Sequence, residues 1–367
     1  MINDSNLRDF DYRAEAARMG PPCVAIIDAH AHVGGLKAAV ILREAMKLYG
    51  ISHIVSMTSA IEQIDAMREI FDGQIDFIAV PNWRESDRRE AHGRGYSARI
   101  GEFHAKGARI AKFWAAPRGI DIGHEVGDPT LMRLDNPVRL EAMQTAFDLG
   151  MTFMVHVADP NTWFETRYAD SSRYGTKASH YEPLEIALDR FPTRWIAAHM
   201  GGWPEDLNFL TGLLTRHPNL VLDTSATKWS VREISRHDAR DVRAFFSRFS
   251  GRLLFGSDIV TSDEHLNAST TAHEMDAKAH SNESAFDLYA SRYWALRTLW
   301  ESNWEGASPI VDPDLAMVDP VRFGARDSGH LRGVALPDST LCTFYRDAAL
   351  AVLAEATLRP PQISPQT

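Results

Sequence analysis

Short apolar runs alternate with stretches of helical periodicity from about residue 24 almost to the end of the chain. The runs are VAIIDAHAHV (24–33), SHIVSMTS (52–59), DFIAVPNW (76–83), ARIAKFWA (108–115), TFMVHVA (152–158), RWIAAHMG (194–201), LVLDTSA (220–226) and RLLFGSDIV (252–260). Each is bounded by Gly, Pro or charged residues and reads as a buried parallel strand. Between them, LKAAVILREAMKLYG (36–50) spaces its apolar residues near 3.6 and stops at Gly50, a helix-ending residue. The segment 135–150 opens Asp-Asn-Pro, which is helix-starting chemistry. PEDLNFLTGLLTRHP (204–218) is framed by Pro204 and Pro218, and DARDVRAFFSRFSG (238–251) ends at Gly251. Strand-then-helix repeats predict an α/β fold with a parallel sheet. Eight of them favour a closed (β/α)8 TIM barrel over an open, doubly wound sheet.

The barrel is predicted over residues 23–358, after an N-terminal segment (1–22) and before a loose tail (359–367). Two stretches exceed ordinary loops. Residues 159–180 follow the fifth strand and are rich in Tyr, Trp, Arg and Ser; residues 261–336 follow the eighth and hold a helix (286–302) and a Pro- and Asp-rich segment. Insertions after strands belong at the C-terminal mouth, where barrel active sites lie. They read as rim or lid, with a homo-oligomer interface as the alternative use. The final helix, near 337–357, would be the barrel's eighth. A length of 367 residues suits one barrel with insertions.

Charge and cysteine content narrow the class. A net charge of −10 argues against a general nucleic-acid or anionic-membrane binder. Cys23 and Cys342 lie at opposite ends of the chain and make no disulfide framework, so a reducing compartment is expected. The first twenty residues are polar and charged and lack a secretory pattern. No apolar run reaches a membrane-spanning length. A cytoplasmic enzyme is the expectation. No Gly-x-Gly-x-x-Gly follows the first strand, which disfavours a dinucleotide-dependent dehydrogenase.

Candidate chemistry gathers at the strand ends. His30 and His32 are two apart in IIDAHAHV and project to one side of a strand. Two imidazoles so placed suit a transition metal such as zinc, although His-x-His by itself is equally a core pattern. His156 in MVHVAD, His199 in AAHMGG and Asp258 in FGSDIV each end an apolar run. A satisfied core histidine is the ordinary reading of any one of them. The recurrence at successive strand ends favours a shared site. On the rim stand Trp83 and Arg84, Lys112, Trp114 and Arg118, Trp163 and Arg167, then Lys228 and Trp229. Arginine grips carboxylates in a fork and tryptophan offers a flat apolar wall. As a cluster they suggest a planar or cyclic carboxylic acid. Singly, each is more often a surface ion pair or a packing residue.

Asp28-x-His30-x-His32, then His156, His199 and Asp258 in that order, resembles the amidohydrolase superfamily. More narrowly, the chain is similar to the amidohydrolase family 2 group, which includes aminocarboxymuconate-semialdehyde decarboxylase. ASRYWALRTLW (290–300) and LPDSTLCTFYRDAALAVL (336–353) also look like this group, with Ala348 where an asparagine is frequent. The resemblance implies that His30, His32, His156 and Asp258 hold one divalent metal with a water. Zinc is the default metal and manganese the alternative. His199 would act on substrate or water, or serve as a fifth ligand, and Asp258 could take the water's proton. Asp28, deeper on the same strand face, would orient an imidazole. In some members a lysine on the fourth strand is carboxylated and bridges two metals, which would be Lys112; one metal is favoured here. Two reactions share these ligands. One is attack of a metal-activated water on an amide, ester or lactone of a small cyclic or aromatic acid. The other is non-oxidative decarboxylation of an aromatic or unsaturated acid. The first is favoured. An inactive metal-binding relative is the third reading, against which the full ligand set argues.

Overall fold

Every apolar run coincides with a strand shorter than itself. They are β1 (Ile26–His32), β2 (Ile51–Met57), β3 (Ile75–Ala79), β4 (Ile110–Trp114), β5 (Thr152–His156), β6 (Trp195–Ala197) and β7 (Leu220–Asp223), with β2 and β3 starting one residue ahead of their runs. The eighth run splits into β8 (Leu253–Leu254) and β9 (Ile259–Val260), with Asp258 between them. Helices separate the successive runs, and the fold is of the (β/α)8 class. The computed structural model describes residues 6, 10–267 and 278–358. The tail expected at 359–367 lies outside them, as do most of residues 1–9 and part of the second insertion. Among the described residues, no helix is long and apolar enough to cross a membrane.

Contacts divide the chain into two compact units. One takes residues up to 56, 62–75 and 224–349; the other takes 57–61, 76–223 and the chain from 350. In the second unit, parallel strands from β3 to β7 neighbour one another in chain order. The register sets Lys112 beside Met154 and Trp114 beside His156, so these four side chains share a face. Behind them Phe113, Phe153 and Trp195 meet edge to face, with ring centroids 5.1 and 4.9 Å apart. All are fully buried, as strands covered on both faces require.

In the first unit β1 lies between β2 and β9, with Ala31 opposite Ile259 and His32 opposite Val260. Helix 282–301 opens on a Ser281/Ser284 capping box and is buried along most of its length, packing on helix 36–49. The stretch 261–336 also contains an antiparallel hairpin that the sequence pattern did not suggest, β10 (Glu305–Val311) with β11 (Ser328–Arg332). An ion network fastens this region to helix 227–234. Buried Arg232 pairs with Glu233, Asp312 and Asp314. Lys228 reaches Asp314 at 3.2 Å, and Trp229 donates its indole N–H there at 3.0 Å. Lys228 and Trp229, expected on the substrate rim, are thus structural ties.

Local signals held where chain chemistry alone decides. Gly50 ends helix 36–49 in a left-handed conformation, and Asn136 caps helix 137–148 ahead of Pro137. Helix 207–216 begins later than Pro204 implied, because the Asp206 carboxylate accepts the Phe209 N–H at 2.8 Å. The last helix is interrupted by a π turn at Thr343–Asp347. Cys23 and Cys342, remote in sequence, have their sulfurs 3.4 Å apart.

Candidate metal centre

In the first unit β1 delivers two imidazoles to one carboxylate. His30 Nε2 lies 3.4 Å and His32 Nε2 3.2 Å from the same oxygen of Asp258. Three devices fix this arrangement. Ser225 Oγ is 3.0 Å from His30 Nδ1 and turns the ring so that Nε2 faces Asp258. The Asp258 N–H donates to the His30 carbonyl at 2.8 Å. Gly256 permits the close approach, since a Cβ there would stand 3.1 Å from both His30 Cβ and Ser225 Cβ. Asp258 itself has φ of +58°, a conformation uncommon outside Gly, Asn and Asp. It lies in the link between β8 and β9 rather than on a strand.

Asp28 is fully buried, and the donors it meets are backbone and hydroxyl groups. Its carboxylate accepts the backbone N–H of His30 (3.2 Å) and of Ser257 (2.9 Å), the Ser257 hydroxyl (2.6 Å) and the Tyr293 hydroxyl (3.1 Å). It therefore ties the backbone before His30 to the backbone before Asp258. Burial pushes its pKa up to about 7, against the pull of those four donors.

In the second unit β5 and the turn after β6 bring two more imidazoles together. The His156 and His199 rings meet edge to face with centroids 4.5 Å apart, and both are buried. Asp159 Oδ1 sits 3.0 Å from His156 Nε2, and the Tyr168 hydroxyl donates to Asp159 Oδ2 at 2.8 Å. His199 is not on a strand. It opens a run of four left-handed residues, His199, Met200, Gly201 and Gly202, with φ between +53° and +78°. Such a conformation costs a non-glycine residue about 1–2 kcal/mol. Buried Asp223 offsets it by accepting the His199 N–H at 2.9 Å.

The predicted substrate contacts separate into two kinds. Lys112 is buried in β4, and Trp114 packs edge-on against Trp83 (5.6 Å) and His156 (6.1 Å). Trp83 continues to His92 at 5.0 Å, whose Nδ1 is 3.3 Å from the buried Arg139 guanidinium. Arg84, Arg118 and Arg167 are exposed, and Arg167 lies 4.3 Å over the Trp163 ring. A cavity of about 270 Å³ opens just past β4, lined among others by Ala115, Ile120, Met132, Arg133 and His180. None of Arg84, Arg118 and Arg167 lines it.

Sequence reasoning missed Ser225, Asp223, Asp159 and Tyr168. Asp159 alone carried a signal, a carboxylate three residues past His156. The others act through contacts that no spacing announces.

Comparison with known proteins supplies the lineage. No protein of curated function matches the chain. Among solved structures, 5-carboxyvanillate decarboxylase from Novosphingobium aromaticivorans, complexed with manganese and 4-hydroxy-3-methoxy-5-nitrobenzoic acid, is 10% identical, with a TM-score of 0.40 over 78% of this chain and 99% of that one. KDPG aldolase from Legionella pneumophila is 12% identical, with a TM-score of 0.35 over 77% of this chain and 98% of that one. Orotidine 5'-phosphate decarboxylase from Pyrococcus horikoshii is 14% identical, with a TM-score of 0.35 over 72% of this chain and 97% of that one. The amidohydrolase family model (Amidohydro_2) matches residues 27–304, a span that opens within β1 and runs past Asp258 to the close of helix 282–301, and the chain belongs to that family.

Proposed function

We propose that this amidohydrolase-family enzyme hydrolyses an amide, ester or lactone of a small cyclic or aromatic acid, and that His30, His32, His156 and Asp258 hold one divalent cation. The observation that carries the reading is the aim of two imidazole Nε2 atoms, 3.4 and 3.2 Å away, at one Asp258 oxygen. Two nitrogen donors and a carboxylate oxygen are a donor set suited to zinc, and manganese is the alternative. A bound divalent ion would supply Lewis-acid chemistry, making water more acidic and a carbonyl more electrophilic.

The chain's own groups account for the rest. The Asp258 carboxylate is partly open to solvent and accepts the proton that water gives up. His199 steadies charge developing on the substrate oxygen or passes a proton to the leaving group. Its backbone is pinned by Asp223, so the ring is set in advance. Trp114 and Trp83 offer flat walls to a ring-bearing substrate. Lys112 shares a strand face with Trp114 and His156 and supports binding of a carboxylate. Arg84, Arg118 and Arg167 would draw the acid in from solvent.

The test is product analysis in heavy-oxygen water. The metal-loaded protein is incubated with aromatic amides, esters and lactones, and separately with the parent aromatic acids. Label in a newly formed carboxylate supports hydrolysis. Release of CO2 from the acids, with no label incorporated from the amides, esters and lactones, overturns it in favour of decarboxylation.

A further inference from the structure

Away from the metal centre, the chain's two cysteines meet. Cys23 precedes β1 and Cys342 ends the short helix 338–342; they are 319 positions apart, yet their Sγ atoms are 3.4 Å from each other. Both are free thiols, Cys23 exposed and Cys342 partly so. We propose that this pair is an oxidation site that hydrogen peroxide converts to an intramolecular Cys23–Cys342 disulfide, clasping the start of β1 to the chain's last helices.

The surrounding structure holds both sulfurs in place. Arg297 sits fully buried on helix 282–301 and donates to the carbonyls of Gly20 (3.1 Å) and Tyr49 (3.3 Å). Those bonds fix the segment leading to Cys23. Pro22 stacks on Gly50, where a Cβ would come within 2.5 Å of the proline ring. The Arg297 guanidinium also grips Glu301 through two bonds of 2.6 and 2.8 Å, and Glu301 accepts the Tyr345 hydroxyl at 2.8 Å. Tyr345 lies three residues past Cys342 and is fully buried. One ion pair thus positions the backbone on both sides of the sulfur contact. Closing 3.4 Å to a bond of about 2.0 Å asks for side-chain rotation.

The chemistry balances with the peroxide as oxidant. One thiol loses its proton, the thiolate attacks a peroxide oxygen and becomes a sulfenic acid, and the departing hydroxide takes up that proton as water. The second thiol displaces the sulfenic oxygen as a second water, and the S–S bond forms. Although the residue is exposed, partial desolvation of its sulfur and the contact with Cys342 push the Cys23 thiol up to about 12, so little thiolate exists at neutral pH and the step runs faster in alkali. Cys23 lies before the entry end of β1, whereas His30 and His32 lie at its exit end. The cross-link therefore acts on stability, as features at the entry face of a barrel do.

The full-length protein is treated with hydrogen peroxide at pH 8 to 9 and then digested without reductant. The expected result is a peptide containing Cys23 joined to Cys342, a mass loss of two hydrogens, and reversal by dithiothreitol. Closing so long a loop should raise Tm by roughly 5 °C or more, and Cys342→Ser should abolish the rise. Separate sulfinic acids without the linked peptide would overturn the proposal. So would cross-linking between chains, or an equal Tm rise in Cys342→Ser.

Discussion

Asp159 holds His156 from behind: its Oδ1 lies 3.0 Å from the ring's Nε2, while Tyr168 donates to its other oxygen at 2.8 Å. With Nε2 so engaged, Nδ1 is the nitrogen that His156 would offer to the proposed metal. A carboxylate behind a metal-binding imidazole fixes the tautomer and raises the ring's basicity. Asp159→Ala should therefore weaken zinc binding about 10- to 100-fold. Tyr168→Phe leaves the carboxylate in place and should cost less. Titration of the metal-free protein against a competing chelator measures both. Unchanged affinity in Asp159→Ala would remove His156 Nδ1 from the ligand set.

His30→Ala and Asp258→Ala each remove one end of the convergence between imidazole and carboxylate. Both variants should lose metal retention and activity together. His199→Ala should behave differently, cutting activity by roughly two orders of magnitude or more while most of the metal stays bound. Metal content per chain after gel filtration separates the two patterns. Loss of metal in His199→Ala would make His199 a ligand.

The legible parts of this site were those encoded by period and position. His30 and His32 share a face because strand side chains alternate, and the apolar run before them fixes which end they occupy. Residue type at the end of an apolar run singles out His199 and Asp258 as candidates, but it does not reveal their settings. Each follows a strand in a left-handed conformation, and a one-dimensional apolar run cannot reveal a positive φ at a non-glycine residue. Asp28 sits on the predicted strand, yet it accepts the N–H and the hydroxyl of Ser257, 229 residues away. Lys228 and Trp229 resemble rim residues because their partners, Asp312 and Asp314, lie in the connection between β10 and β11, a hairpin that a Pro- and Asp-rich segment does not announce. The contact of Cys23 with Cys342 was equally hidden, since no spacing rule links residues 319 apart.

Gly202 sets the end of the turn that carries His199. Its φ is +78°, and a Cβ there would stand 2.4 Å from the Ala158 carbonyl oxygen. Gly202→Ala meets backbone strain and a clash with rigid main chain, and should destabilise the protein by about 2 kcal/mol or more. A fall in Tm on thermal denaturation reads this directly. Ala158 lies two residues past His156, so the variant should also bind zinc more weakly. A variant with wild-type Tm would mean that the turn relaxes without cost.

His92 gives stability an acid limb. It is fully buried, and burial first, with the positive charges of Arg139 and Arg88 second, lowers its pKa from 6.5 to about 3. In the native protein the ring therefore stays neutral well into acid, where its Nδ1 can accept from Arg139 at 3.3 Å. The unfolded chain takes up a proton on this histidine below pH 6.5. Unfolding then binds a proton, so stability falls as pH drops from 6.5 towards 3 and is unaffected by this group above 6.5. The slope from one such group approaches about 1.4 kcal/mol per pH unit. His92→Asn keeps an acceptor for Arg139 but cannot titrate, so urea denaturation at pH 7 and pH 5 should show a smaller acid loss in the variant than in the wild type. Equal losses would place the protonation of His92 near its ordinary value and detach Arg139 from its control.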